Sequence, residues 1–224
     1  MPDGRRVEIR GGAVTFRVLA AGRGAPLVYF HSYYERSAWS PFLDLLARSF
    51  SVYAPCHPGV PGSTGIETLD DLLDLTLAYD ELLGALGLWR DDAPSADILI
   101  LPADELAPVL WRDPASGVAR EWAATSGSDQ EDVAAQVESL QRRSSMAKFA
   151  WPIPDKGLHR RLHRIAAPTL LVWGDTDRAN PVVYAEEWQR RIKGAALRLL
   201  PGGHMILHET PEAVARAVVE LARP

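Results

Sequence analysis

A chain of 224 residues with 47% hydrophobic and 24% charged residues has the composition of an ordinary globule, which excludes a fibrous or largely disordered polymer. Its net charge of −5 comes with arginines interspersed among acids, so there is no basic stripe for phosphate and no nucleic-acid partner is expected. The single cysteine, Cys56, has no partner for an internal disulfide, which suits a reducing compartment. No apolar stretch approaches the ~18 residues of a membrane helix, and the charged start MPDGRRVEIRGG is followed by no apolar run, so the expectation is a cytoplasmic protein with no membrane partner.

In chain order, VEIRGGAVTFRVLA (7–20) reads as two alternating strands around Gly11-Gly12, a hairpin signal. APLVYFHS (25–32) is a continuous apolar run of the kind that buries a strand on both faces. SAWSPFLDLLARS (37–49) has helical spacing, and FSVYAPCHPG (50–59) gives a second buried strand stopped by Pro55 and Pro58. Thr68, as an N-cap before Asp70 and Asp71, opens a long amphipathic helix to about Leu86. Residues 103–165 are helical throughout and rich in Ala, Arg and Trp. Alternation then returns with a strand in APTLLVWGD (167–175), a helix in PVVYAEEWQRRI (181–192), a strand in ALRLLPGG (196–203) and a helix in PEAVARAVVELA (211–222). Strands separated by helices predict an α/β fold, a mostly parallel sheet covered on both faces, in one domain with 103–165 as a helical cap.

In such a fold ligands sit beyond the carboxyl ends of the strands. His31 ends LVYFH, Asp177 follows LLVWG in WGDTDR, and His204 follows LRLLPGG. An aspartate and a histidine on neighbouring strand ends make an orienter and a base, because a carboxylate on one ring nitrogen fixes the tautomer and stabilises the charged imidazole.

These segments resemble the α/β-hydrolase superfamily, in particular its capped ester and carbon–carbon bond hydrolases. GAPLVYFHSYY is similar to the oxyanion-loop segment, YAPCHPGVPGS to the loop after the next strand, LLVWGDTDRANP to the acid turn and LLPGGHMILHETPEAV to the histidine loop. FAWPIPDKGLHRRLHRIAAPTLLVWG resembles the return from cap to core. The resemblance implies a Ser-His-Asp mechanism in which His204 takes the proton, Asp177 holds the imidazolium, and backbone N–H groups around His31, Ser32 and Tyr33 receive the oxyanion. It implies no cofactor. Ser32 stands where the family usually has glycine, which puts that loop's geometry in question.

The nucleophile is missing. The family presents it in a G-x-S-x-G elbow, and no serine here has glycine two residues to both sides: Ser63 has Pro61 and Gly65, while Ser126 and Ser128 lie in a polar loop. In relatives the helix ending like LGALGL is followed by the elbow strand, the elbow, its helix and one more strand; here it runs into GLWRDDAP, a phrase that opens the cap. The simplest reading is a deletion of those four elements at Gly87-Leu88, shortening the core by about two strands. DILIL (97–101) is the candidate replacement strand, which would put Asp104 at the elbow, although Pro102 and Leu106 flank it where small residues are needed.

Other chemistry-bearing residues read as structural. The pairs His159/His163 and His204/His208 lack a third ligand, so no metal is expected. Nothing local lowers the pKa of Cys56. Trp89, Trp111, Trp122 and Trp151 either line an apolar pocket or anchor helices, and Arg160, Arg161 and Arg164 form a solvated face. The expected function is hydrolysis of an ester or similar acyl or carbon–carbon bond, weak or absent for want of the attacking atom. The alternative is a non-catalytic protein that binds a small apolar, ester-like molecule or associates as a homodimer.

Overall fold

The computed structural model describes residues 3–9, 12–32, 35, 37–70, 74–75, 101, 103–125, 133–150 and 158–222. The chain divides into two compact units, residues 1–84 with 123–151, and residues 85–122 with 152–224, so the 103–165 stretch contributes to both.

In the first unit, β1 (Asp3–Ile9) and β2 (Val14–Ala21) form the expected hairpin, running from Asp3 opposite Ala20 to Ile9 opposite Val14. Alternation along β2 turns Val14 and Phe16 inward, where they pack with Leu69 and Phe149. The strand β4 (Phe50–Pro55) lies antiparallel to β2, and β3 (Ala25–Val28) parallel to β4, giving the order β1-β2-β4-β3. The crossover from β3 to β4 carries helix α1 (Pro41–Ala47), whose start is set by the Ser40 hydroxyl accepting from the Leu43 N–H and by Pro41 at the first position. Its inner face buries Phe42, Leu43 and Leu46. Gly22 lets the chain turn tightly before β3: its φ is +90°, and a Cβ there would lie 2.2 Å from the Phe50 carbonyl oxygen.

Two expectations fail in this unit. The run 25–32 is not a strand buried on both faces, because β3 spans only four residues and lies at the sheet edge with β4 as its one partner among the described residues; Val28 is 56% exposed. Thr68 does not cap a helix. It closes a 3-10 turn over Ile66–Thr68, its hydroxyl donating to the Gly65 carbonyl at 2.7 Å, and most of the helix expected after it lies outside the described residues.

The second unit contains α2 (Ala103–Leu110), which buries Leu106 and Leu110, and most of α3 (Gly117–Thr125), which begins where the Ser116 hydroxyl accepts from the Ala119 N–H at 3.2 Å. The last described helix of the first unit, α4 (Val133–Ala150), turns Phe149 and Arg142 inward. After two 3-10 turns within 158–164 come β5 (Leu170–Gly174), α5 (Val182–Arg191), β6 (Ala196–Leu200), a single helical turn α6 (Ile206–Glu209) that the sequence did not signal, and α7 (Pro211–Leu221). The strands β5 and β6 pair in parallel from Leu170 opposite Ala196 to Gly174 opposite Leu200. Leu162 and Ile192 bury together with Ile165 and Trp188, and α7 buries Val214, Ala215 and Ala217.

The expected strand–helix alternation is thus present as two crossover units, β3-α1-β4 and β5-α5-β6, in a mixed α/β structure with short sheets. Residues 97–100 of the proposed replacement strand, and the junction Gly87-Leu88, lie outside the described residues, while Leu101 sits in a bend. Among the described residues no helix is long and apolar enough to cross a membrane.

Leu43, 2% exposed, and Val28 give opposite expectations. Leu43→Ala should destabilise by about 2–5 kcal/mol in chemical denaturation, whereas Val28→Thr should shift stability by less than about 0.5 kcal/mol. A large cost at Val28 would mean that the outer face of β3 is covered.

Candidate functional site

Two strand ends of equal length build the site. Because Gly174 is opposite Leu200, β5 and β6 stop at the same level and the residues that follow meet. The Asp175 N–H donates to the Leu200 carbonyl at 2.9 Å, and the Thr176 N–H and hydroxyl both donate to the Gly202 carbonyl, at 3.0 and 2.9 Å. This stitching requires glycine at the end of β5, since a Cβ on Gly174 would lie 2.3 Å from the Gly203 carbonyl oxygen and 2.5 Å from that of Gly202.

The result is that Asp177 Oδ2 accepts a hydrogen bond from His204 Nδ1 at 3.0 Å, with the carboxylate side chain 7% and the imidazole 21% exposed. The other carboxylate oxygen, Oδ1, accepts from the Asn180 N–H at 2.8 Å, which fixes the Asp177 rotamer. A proton on Nδ1 leaves the lone pair on Nε2, the arrangement in which an imidazole can accept a proton and a buried carboxylate can stabilise the resulting charge. The sequence located both residues; what it could not give was the buried contact between them.

His31 and Ser32 belong to the first unit. His31 is buried and lies against His57, ring centroids 4.0 Å apart. Its Nε2 accepts from the His57 N–H at 3.2 Å, so its Nδ1 carries the proton and donates to the Ser32 carbonyl at 2.9 Å, while His57 Nε2 donates to the His31 carbonyl at 2.6 Å. Burial, and then the neighbouring His57, bring His31 down to about 3, and burial lowers His57 too. The P-x-H-P-G turn at 55–59 was visible in the sequence, but His57 as the partner of His31 was not, because the pair is 26 residues apart.

The Ser32 N–H, expected to receive an oxyanion, donates instead to Glu35 Oε2 at 2.8 Å. Glu35 is buried, and the Tyr29 hydroxyl donates to its carboxylate at 2.6 and 2.8 Å. Burial raises both groups, Glu35 from its ordinary carboxylate value and Tyr29 well above a normal phenol, and Glu35's charge adds to the effect on Tyr29. Tyr33, the third expected member of the oxyanion loop, lies outside the described residues.

The nucleophile candidates fare as follows. The Ser63 hydroxyl is buried, donates to the Cys56 carbonyl at 2.9 Å and accepts from the Arg17 N–H at 3.0 Å, so it holds a loop. Burial pushes the Cys56 thiol up, and the nearby Arg17 guanidinium offsets this only in part. Asp104 lies in helix α2, and neither its side chain nor Ser126 and Ser128 are among the described residues. Trp111 is buried edge-on to Trp122, centroids 5.8 Å apart, as a packing anchor, while Trp89 and Trp151 lie outside the described residues. Arg160, Arg161 and Arg164 are exposed. Among the described residues no group of three metal-ligating side chains forms.

The His31 environment carries a pH dependence. Its folded value lies below the unfolded one, so the unfolded chain binds the extra proton and stability falls as pH drops from about 6.5 towards 3. His57 acts in the same sense, whereas Glu35, raised on folding, opposes it above its unfolded value. Between pH 7 and pH 5, His31→Gln should remove about 2 kcal/mol of the pH-dependent stability loss, read by urea denaturation at each pH. An unchanged difference would show that His31 titrates normally in the folded protein.

No family model and no curated protein matches the sequence significantly. Many solved structures match the fold. A 2-hydroxy-6-oxo-6-phenylhexa-2,4-dienoate hydrolase from a Rhodococcus strain superposes with a TM-score of 0.67 at 17% identity, over 100% of both chains. An esterase from Exiguobacterium antarcticum gives 0.64 at 15% identity over 97% of this chain and 98% of its own. A loop variant of a haloalkane dehalogenase from Bradyrhizobium elkanii gives 0.63 at 18% identity, over 97% and 95%. Among the described residues the sheets are short, which is consistent with a core shortened relative to such structures. The fold of this chain is that of the α/β-hydrolase superfamily.

Proposed function

We propose that this protein is a hydrolase-lineage chain that keeps the acid and base of a Ser-His-Asp triad, Asp177 and His204, and lacks the nucleophile, so that ester or carbon–carbon bond cleavage is very weak or absent. The observation that carries this reading is the 3.0 Å bond from His204 Nδ1 to the buried Asp177 carboxylate, set beside a sequence with no G-x-S-x-G elbow. An imidazole held in this way has the chemistry of a general base, yet a base alone forms no acyl-enzyme. With the nucleophile gone, what is left is the residual catalysis of a bound site, ~10³–10⁴-fold over water where triads have been dismantled. The engagement of the Ser32 N–H by Glu35 supports the same reading, since that donor is already satisfied.

A non-catalytic role, in binding a small apolar molecule or in self-association, is favoured by one observation. On α4 the side chains of Val133, Val137 and Leu140, spaced i, i+4 and i+7, are 68%, 50% and 65% exposed, which leaves an apolar stripe on one helix face.

Incubation with a serine-directed fluorophosphonate should leave no covalent adduct by intact-mass spectrometry. Any p-nitrophenyl acetate hydrolysis should survive that treatment and fall in His204→Ala. Stoichiometric labelling of one serine would overturn the loss of the nucleophile. Absence of activity together with a concentration-dependent sedimentation shift, abolished by Leu140→Lys, would select self-association.

A further inference from the structure

We propose that Glu209, Asp175 and Arg112 are positioning residues that set the His204 ring against Asp177. This rests on the reading of Asp177 and His204 as a retained acid–base pair. His204 sits on an irregular loop, and the backbone N–H groups just before it have no strand partner: the Gly203 N–H donates to Glu209 Oε2 at 2.5 Å and the Gly202 N–H to Asp175 Oδ1 at 3.2 Å. Both carboxylates then bind a second donor from one residue, Arg112. Its N–H donates to Glu209 Oε1 at 2.9 Å and its Nη1 to Asp175 Oδ1 at 2.7 Å.

Arg112 thus bridges the two carboxylates, by its backbone on one side and its guanidinium on the other. The adjacent Met205 N–H donates to the Leu110 carbonyl at 3.1 Å, so the end of α2 is tied to the loop on both sides of the imidazole. The approach is close: a Cβ on Gly203 would lie 2.7 Å from the Arg112 nitrogen and 2.8 Å from the Leu110 oxygen. Asp175 has a second reason to matter, being two residues before Asp177 on the same turn. Its carboxyl is held below the ordinary range, first by the Gly202 N–H and then by Arg112. A carboxylate accepting two donors fixes both in direction, because each lone pair has a defined axis. Without Glu209 the Gly203 N–H loses its acceptor, and the loop gains freedom at the residue that precedes His204.

The experiment is proton exchange at His204 Nδ1, followed by NMR in protein labelled at histidine. The wild type should give a slowly exchanging Nδ1 proton that Asp177→Asn abolishes. Glu209→Ala should speed its exchange by about tenfold or more, while the β5 amides of Leu171 and Val172 keep their protection. Glu209→Gln, which keeps an oxygen acceptor, should recover a large part of the effect, as a merely structural loss would not. Arg112→Ala, at an exposed side chain that retains its backbone N–H, should move exchange the same way by a few fold and decides the matter if Glu209→Ala fails to fold. If Asp177→Asn abolishes the slow proton but Glu209→Ala and Arg112→Ala leave it within about twofold of wild type, the positioning role is overturned. If Asp177→Asn itself changes nothing, the acid–base pair fails, and the proposal with it.

Discussion

The parallel pairing of β5 with β6 is the constraint on which the site depends. Parallel strands joined by a helix deliver their carboxyl ends to the same side, and with Gly174 opposite Leu200 they deliver them to the same level. Asp177 lies three residues beyond one end and His204 four beyond the other, so the two side chains reach a single hydrogen bond only if that register holds. A slip of one residue would move the acid along the strand axis by about 3.3 Å, more than the tolerance of the bond. Gly174 is part of the same constraint, because any side chain there would push the loop of Gly202 and Gly203 off the turn that carries the acid.

In the first unit the polar groups are arranged towards closure. His31 and His57 each engage the other's backbone through Nε2, and burial lowers the pKa of both. Tyr29, Ser32 and Glu35 form a second set, in which the Glu35 carboxylate accepts from both the Tyr29 hydroxyl and the Ser32 N–H. Buried polar networks of this kind rigidify a loop when every member is satisfied. The Ser63 hydroxyl likewise holds a loop, between the Arg17 N–H and the Cys56 carbonyl.

Taken together, the polar chemistry is divided between what is poised and what is committed. The His204 imidazole is poised by a buried acid with a fixed rotamer. In the first unit the Ser63 hydroxyl and the Ser32 N–H are committed to structure.

Much of this was legible in the sequence, and the boundary has a physical origin. Local pattern alone determined the β1/β2 hairpin, the helix within 37–49, the strands LLVWG and ALRLL, and the placing of Asp177 and His204 just past two strand ends, because period and strand-end position are written in neighbouring residues. The sequence contains no G-x-S-x-G run. Tertiary structure alone decided the rest. Whether APLVYFHS is buried on both faces depends on how many strands flank it, and among the described residues it has one, with Val28 56% exposed. That His31 is locked by His57, that Glu35 takes the Ser32 N–H, and that Arg112 bridges Asp175 and Glu209 are contacts between residues brought together by turns and crossovers. A linear pattern encodes which groups are polar, but only the packed chain decides which of them are left to meet a substrate and which are used up on each other.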